Sequence, residues 1–289
     1  MNLPHINGSD VAGEIAQVGE YVTWLQTGQR VLLAPMTFCG HCEACVSGQQ
    51  NFCPEFSVLG YRNDGGYREL MAIPAVNVIP IPETLSFEQA ASVPLVFLTA
   101  WHMLVTRAQI RPGQTVLVLG AGSGVGTAAI QIAKKLFSAT VITTAGGDKK
   151  LELARQLGAD YTIDHYKQKI SEEVKKITAK RGVDIVFEHV GQATWDESMK
   201  SLKPGGTIVT CGATTGPDVK LDLRFLYSRQ LSYLGSFMGN MADLHRVLAE
   251  VFSGKLKPVV DRTFPLKDAA EAHRYLESSQ MFGKVVLVV

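Results

Sequence analysis

No window of five to eight residues is rich in lysine and arginine, and 28 basic side chains nearly balance 27 acidic ones. Nothing in the chain can track a phosphate backbone, which excludes nucleic acid as a partner. The opening "MNLPHINGSD" lacks the basic start and apolar run of a secretion signal. The longest apolar stretch, Ala90 to Val105, contains His102 and falls short of the roughly 18 residues that suggest a membrane span. No solenoid period and no low-complexity segment occurs. Cysteine is scarce as well: of five, four crowd into "FCGHCEACVSGQQNFCPEF" and Cys211 stands alone. That pattern argues against a disulfide framework and for a metal site in a reducing compartment. The expectation is a cytoplasmic protein, off the membrane, acting on a small molecule.

At 289 residues the chain has room for two domains. Its first hundred residues read as β-rich, with "VAGEIAQV", "QRVLLAP" and "YRELMAIP" separated by glycine and proline. The rhythm then changes. Short apolar runs, "TVLVLG", "ATVITTAG", "VDIVFEHVG" and "GTIVTCG", alternate with helical segments, the signature of βαβ units and a parallel sheet. "GDKKLELARQLGAD" predicts a helix capped at Asp148 and ended by a left-handed Gly158. A final strand is expected at "GKVVLVV".

"TVLVLGAGSGVGTAAIQIAKKLF" sets an apolar strand, a glycine-rich turn and an apolar helix in succession, the context a dinucleotide site needs. Gly120, Gly122, Gly124 and Gly126 occupy alternate positions, and Val125 stands where G-x-G-x-x-G would place its last glycine. An NAD-selective site usually carries an acid about 20 residues further on. Here the stretch reads "TTAGGDKK": Ala145, Gly146 and Gly147 leave room for a 2′-phosphate that Lys150 or Lys149 could neutralise. NADPH is the expected cofactor and NADH the alternative, with Asp148 as the rival ligand for ribose.

In the order "LPHINGSDVAGEIAQVG", "GQRV", the cysteine lobe, "LTAWHML", "GAGSGVG", "GGTIVTCG" and "FGKVVLVV", the chain resembles the medium-chain dehydrogenase/reductase superfamily, in its zinc-binding alcohol dehydrogenase and quinone oxidoreductase group. The resemblance implies an α/β fold in which a Rossmann doubly wound parallel sheet is inserted in a β-rich GroES-like catalytic domain, here without its N-terminal part. The expected domains are 1–97, the partial GroES-like domain with a zinc lobe at 38–56; 98–237, the Rossmann NAD(P)-binding domain; and 238–289, the return to the catalytic domain. Relatives also imply a homo-oligomer, dimer or tetramer.

In that family, cysteines spaced like Cys39, Cys42, Cys45 and Cys53 hold one structural zinc, and four thiolates would leave no coordination position for substrate. The catalytic zinc of the alcohol dehydrogenases is another matter. Their G-H-E motif is matched by Gly8, Ser9 and Asp10, and Leu95 stands where a cysteine ligand would fall. This departure favours a reductase of a quinone, enone or related carbonyl compound that transfers hydride without catalytic zinc. The zinc-type alcohol dehydrogenase, and a relative whose hydride-transfer site has decayed, stay open as alternatives. The resemblance further implies cofactor contacts at Thr99, Gly122, Gly124, Val125, Gly126, Lys150, Gly212, Ser236, Met238 and Lys284. His165 follows the third strand near where NADPH-using relatives place a tyrosine, His189 borders the adenosine side, and both read equally as core or surface histidines; His5, His102, Tyr61 and Tyr67 are possible proton donors. No catalytic residue is assigned.

Overall fold

In the computed structural model, which describes residues 3–289, the chain through Leu98 together with Gly239–Val289 forms one unit and Thr99–Met238 forms the other. The first unit opens with β1 (Ala12–Glu14), β2 (Arg30–Leu33) and β3 (Met36–Thr37). The short helix α1 (Glu43–Val46) lies within the cysteine loop, and β4 (Ser57–Val58) closes that loop by pairing antiparallel with β3. Next, β5 (Val78–Pro80) completes a three-stranded antiparallel sheet in the order β1-β2-β5. Asn77, only 2% exposed, donates its side-chain amide to the carbonyls of Ala34 and Met36, fixing the entry to the loop.

One expected strand is missing. "YRELMAIP" forms none; residues 66–73 instead line a cavity of about 1070 Å³ with β1 and residues 284–289. The helices α2 (Phe87–Ala90) and α3 (Pro94–Trp101) follow. They belong to a helical run, Phe87–Arg107, that is 21 residues long and apolar enough by composition to cross a membrane, yet 72% of its most apolar window is buried, as in a core helix. The stretch reaches that length by taking in Phe87, Glu88 and Gln89 before the apolar run and Thr106 and Arg107 after it.

The second unit is built on β6 (Thr115–Val118), α4 (Gly124–Gln131), β7 (Thr140–Ala145), α5 (Asp148–Leu157), β8 (Tyr161–Asp164) and α6 (Ile170–Ile177). Its other half comprises β9 (Val183–Glu188), α7 (Trp195–Ser201), β10 (Leu202–Thr210), α8 (Leu223–Ser228) and β11 (Ser232–Gly235). All six strands run parallel in the order β11-β10-β9-β6-β7-β8. Every residue of β6 and β9 is buried, which explains why residues 116–118 of β6 and 185–187 of β9 are continuously apolar rather than alternating; the buried Asp184 of β9 accepts the Thr115 N–H at 2.8 Å. Leu117, Ile142, Val186 and Ile208 meet in the core between sheet and helices. Strand order reverses between β6 and β9. In an open parallel sheet the crevice beyond the carboxyl ends at such a reversal is where ligands bind.

The chain then returns to the first unit with α9 (Met241–Phe252), β12 (Val260–Pro265), α10 (Ala269–Glu277) and β13 (Lys284–Val288). The last strand lies parallel to β12.

Candidate functional site: a cysteine clasp and a dinucleotide crevice

Cys39, Cys42, Cys45 and Cys53 bring their four sulfurs within 4.8 Å of one another, and all are free thiols. The Cys39 sulfur lies 3.9 Å from that of Cys45 and 3.6 Å from that of Cys53. A disulfide would need about 2.05 Å. A tetrahedral zinc with bonds of about 2.3 Å requires sulfurs about 3.8 Å apart, so the spacing fits the ion. Backbone N–H groups support the sulfurs: Cys42 donates to Cys39 at 3.4 Å, and Glu55 to Cys53 at 3.4 Å. The N–H groups of His41 and Cys42 pull the Cys39 thiol down to about 6, whereas burial pushes Cys45 up to about 12. Cys211 lies in the other unit, its thiol pushed up to about 12 by burial and by Glu188.

The positions matched to a catalytic zinc offer a different donor set. Ser9 and Leu95 supply neither imidazole nor thiolate. Asp10 is committed elsewhere: one carboxylate oxygen accepts the Leu95 N–H at 2.7 Å and the other accepts the Lys284 ammonium at 2.7 Å. Among the described residues, the groups of three or more His, Cys, Asp or Glu able to hold a metal all include Cys39. A catalytic zinc does not fit these residues.

At the end of β6 the chain turns through Gly120, whose φ of +65° lies in the left-handed region that favours glycine. Gly124 opens α4 with helical geometry, so the conformation that resists a side chain belongs to Gly120. Gly126 is required for a different reason: a Cβ there would stand 2.3 Å from the Gly120 carbonyl oxygen. Ser123 caps the helix by accepting the Gly126 N–H at 2.9 Å while donating its hydroxyl to the Gly120 carbonyl at 2.9 Å. The Gly120 N–H donates to the Thr144 hydroxyl at 3.1 Å, tying the turn to β7. This cradle, narrow at Gly126 and ending at a helix N-terminus, suits a pyrophosphate.

His189, just past β9, reaches the same turn. Its Nε2 is 2.8 Å from the Leu119 carbonyl, which can only accept, so Nε2 carries the proton. The same nitrogen is 3.2 Å from the Ser123 hydroxyl, and burial lowers the ring's pKa, keeping it neutral. Next to it in sequence, Glu188 is fully buried; its carboxylate accepts the N–H groups of Val190 and Gly191 and the hydroxyls of Thr194 and Ser198. Sequence reading missed Ser123, Thr144 and Glu188. Only Ser123 left a signal, as a capping residue at the helix start.

Along the carboxyl ends of β9, β10 and β11, the remaining candidates of this unit follow one another. A Cβ on Gly212 would meet the His189 carbonyl oxygen at 2.9 Å. The Thr210 hydroxyl donates to the Gly212 carbonyl at 3.3 Å, and the Ser236 N–H donates to the Thr210 carbonyl at 2.8 Å. The Ser236 hydroxyl is buried without a hydrogen-bond partner, a cost that a ligand amide would relieve. Thr99 donates its hydroxyl to the Met238 sulfur at 3.9 Å. Lys284 lies in the first unit, on Asp10.

Beyond β7, Ala145 is buried and carries no acid. Asp148 does not cap α5. The capping position is Gly147, at φ +84° and without a side-chain bond, because the chain turns one residue earlier than the pattern suggests; Gly158 does close the helix in the left-handed region. The Asp148 carboxylate is exposed and lies 3.7 Å from Lys167, which also lies 3.3 Å from Asp164 at the end of β8. Burial works to raise the Asp164 carboxyl, but the Tyr166 N–H, Lys167 and the Gly147 N–H outweigh it and hold it below its ordinary value. Lys150 lies on the first turn of α5, near His165.

Two family profiles match the chain: "Alcohol dehydrogenase GroES-like domain" over residues 1–83 and "Zinc-binding dehydrogenase" over residues 124–253. The chain is 32% identical over 289 residues to an NAD-dependent alcohol dehydrogenase of Sulfurisphaera tokodaii, covering 100% of this chain and 83% of that protein. It is 34% identical over 291 residues to an acryloyl-coenzyme A reductase of Metallosphaera sedula, covering 99% of this chain and 84% of that protein. A crystal structure of an NAD-dependent alcohol dehydrogenase superposes with a TM-score of 0.96 at 45% identity, over 100% of this chain and 84% of that one.

Proposed function

Because the chain belongs to the zinc-type medium-chain dehydrogenase/reductase superfamily and is an NAD(P)H-dependent oxidoreductase, we propose that it uses NADPH to reduce an enone, quinone or related carbonyl compound without a catalytic metal. The observation that carries this reading is the commitment of Asp10 to Leu95 and Lys284, with serine and leucine where zinc ligands would stand. The four-cysteine site is then a structural clasp. The name of the acryloyl-coenzyme A reductase relative favours an activated carbon–carbon double bond as substrate. The alcohol dehydrogenase relatives favour a second reading, oxidation of an alcohol with NAD.

When bound, the nicotinamide supplies the hydride. The N–H groups of Gly122, Gly124 and Val125 would hold the pyrophosphate at the start of α4, where the helix dipole adds favourable charge, while Gly126, whose N–H is given to Ser123, keeps the turn close to the helix. Gly212, Ser236 and Met238 would hold the carboxamide, with the unpartnered Ser236 hydroxyl as one donor, and Thr99, bonded to Met238, would stand beside the ring. Fixing that ring against an apolar surface supplies proximity and excludes water, which is the protein's main contribution to hydride transfer.

Cofactor choice follows from the end of β7. Ala145 cannot accept the ribose hydroxyls, and Lys150 on α5 can pair with a 2′-phosphate. An exposed pair of this kind contributes about 0.2–1 kcal/mol, so Lys150→Ala is expected to weaken NADPH about two- to five-fold and NADH hardly at all. The difference should shrink with added salt. Titration of both cofactors into both proteins tests it. Tighter NADH than NADPH binding by the wild type would transfer the ribose to Asp148.

A further inference from the structure

We infer that His165 is a titrating ligand of the 2′-phosphate, so that the preference between the two cofactors depends on pH. The inference rests on the reading of the β7–β8 edge as the adenosine end of the cofactor site. Parallel pairing sets Ala145 beside Asp164, and the next N–H, that of His165, donates to the Ala145 carbonyl at 3.3 Å. The imidazole therefore leaves the backbone beside the strand end where a ribose-binding acid would stand.

The ring's place is held by its neighbour. His165 and Tyr166 meet edge to face with centroids 4.5 Å apart. Tyr166, although 81% exposed, is seated on Gly146, where a Cβ would lie 2.2 Å from its ring. The charges that act on the His165 ring come from Asp164 at the end of β8 and Lys150 on α5, and a second acid, Asp148, opens α5. Lys167 bridges the two acids, at 3.7 Å from Asp148 and 3.3 Å from Asp164. Both carboxylates are thus already facing a cation, and a phosphate here would meet lysine and imidazole.

Partial burial of the ring, helped by the Lys150 charge and opposed by Asp164, keeps His165 below its ordinary pKa and neutral at pH 7. A phosphate carrying close to two negative charges favours the imidazolium instead. Binding NADPH would then take up a proton at His165, whereas NADH, lacking the phosphate, would not. The sign follows from linkage: a group whose pKa rises on binding strengthens binding as pH falls through the interval between its two values. The gain ends near pH 6, where the phosphate takes its own second proton.

The test is calorimetric titration of NADPH and NADH into wild type, His165→Gln and His165→Lys between about pH 6 and pH 8, where histidine titrates. In wild type the ratio of NADPH to NADH affinity should rise about three- to ten-fold on acidification, below the limit of roughly ten-fold per pH unit for one proton. His165→Gln should lose that rise, and His165→Lys should restore the preference without the slope. Thermal melts would confirm that both variants fold. A wild type that prefers NADPH equally at every pH, or equal slopes in wild type and His165→Gln, would overturn the inference and leave NADPH as cofactor. No preference for NADPH at any pH would instead defeat the cofactor reading on which it rests.

Discussion

Replacing Cys45 with serine is expected to take zinc from about one ion per chain to none and to unfold the loop between β3 and β4. The loop has little else to hold it. Its regular structure is one four-residue helix and a single turn of 3₁₀ helix, and Val46 and Phe52 are 72% and 64% exposed. A segment that buries so few apolar side chains cannot offset its own chain entropy, so the ion's binding energy is folding energy. Loss of one ligand should cost several kcal/mol and be read as a lower melting temperature with early protease cleavage between residues 38 and 56. Cys211→Ser, in the other unit, should leave the zinc content unchanged. Two ions per chain in the wild type would refute the assignment of the lobe as the sole metal site.

The second large effect is expected at Gly126. A methyl group there would press on the Gly120 carbonyl oxygen at 2.3 Å and on the Ser123 hydroxyl at 2.9 Å. Both neighbours are fixed, since Ser123 bridges Gly120 and Gly126 and the Gly120 N–H is held by Thr144. The turn must open, so Gly126→Ala should lose at least about 100-fold in cofactor affinity, or roughly 3 kcal/mol, together with some thermal stability. Gly124→Val makes a useful contrast. At the first residue of α4 it should block the pyrophosphate while sparing the turn, so affinity falls and the melt does not. Unchanged cofactor binding in both variants would place the nucleotide elsewhere.

Much of this was legible in the sequence, and the reasons differ by element. The β6–turn–α4 unit declares itself because β6 is covered on both faces, which makes its residues 116–118 continuously apolar, and the close approach at Gly126 tolerates no side chain. The cysteine lobe declares itself because tetrahedral ligation needs four sulfurs from a short loop. Long-range contacts left no such trace. The bond from His189 to Leu119 spans 70 residues and exists only because β9 lies beside β6. Glu188 passes unmarked within "VDIVFEHVG", because two of its partners, Thr194 and Ser198, arrive through the packing of α7. The cap of α5 was misplaced by one residue, since an aspartate at the capping position and one at the first helical position look alike until the φ of Gly147 is known. "YRELMAIP" has the composition of a strand, but a strand also needs a partner.

Transfer of deuterium from NADPH labelled at C4 tests the central claim most directly. The protein, shown by metal analysis to hold one zinc per chain, would be given the labelled cofactor and an enone or α,β-unsaturated thioester, and the product examined by mass spectrometry and NMR. The expected result is one deuterium on the carbon that accepted the hydride, at a rate that added zinc does not change. No transfer to any such acceptor, or transfer that appears only when a second zinc is supplied, would contradict a reductase that works without a catalytic metal.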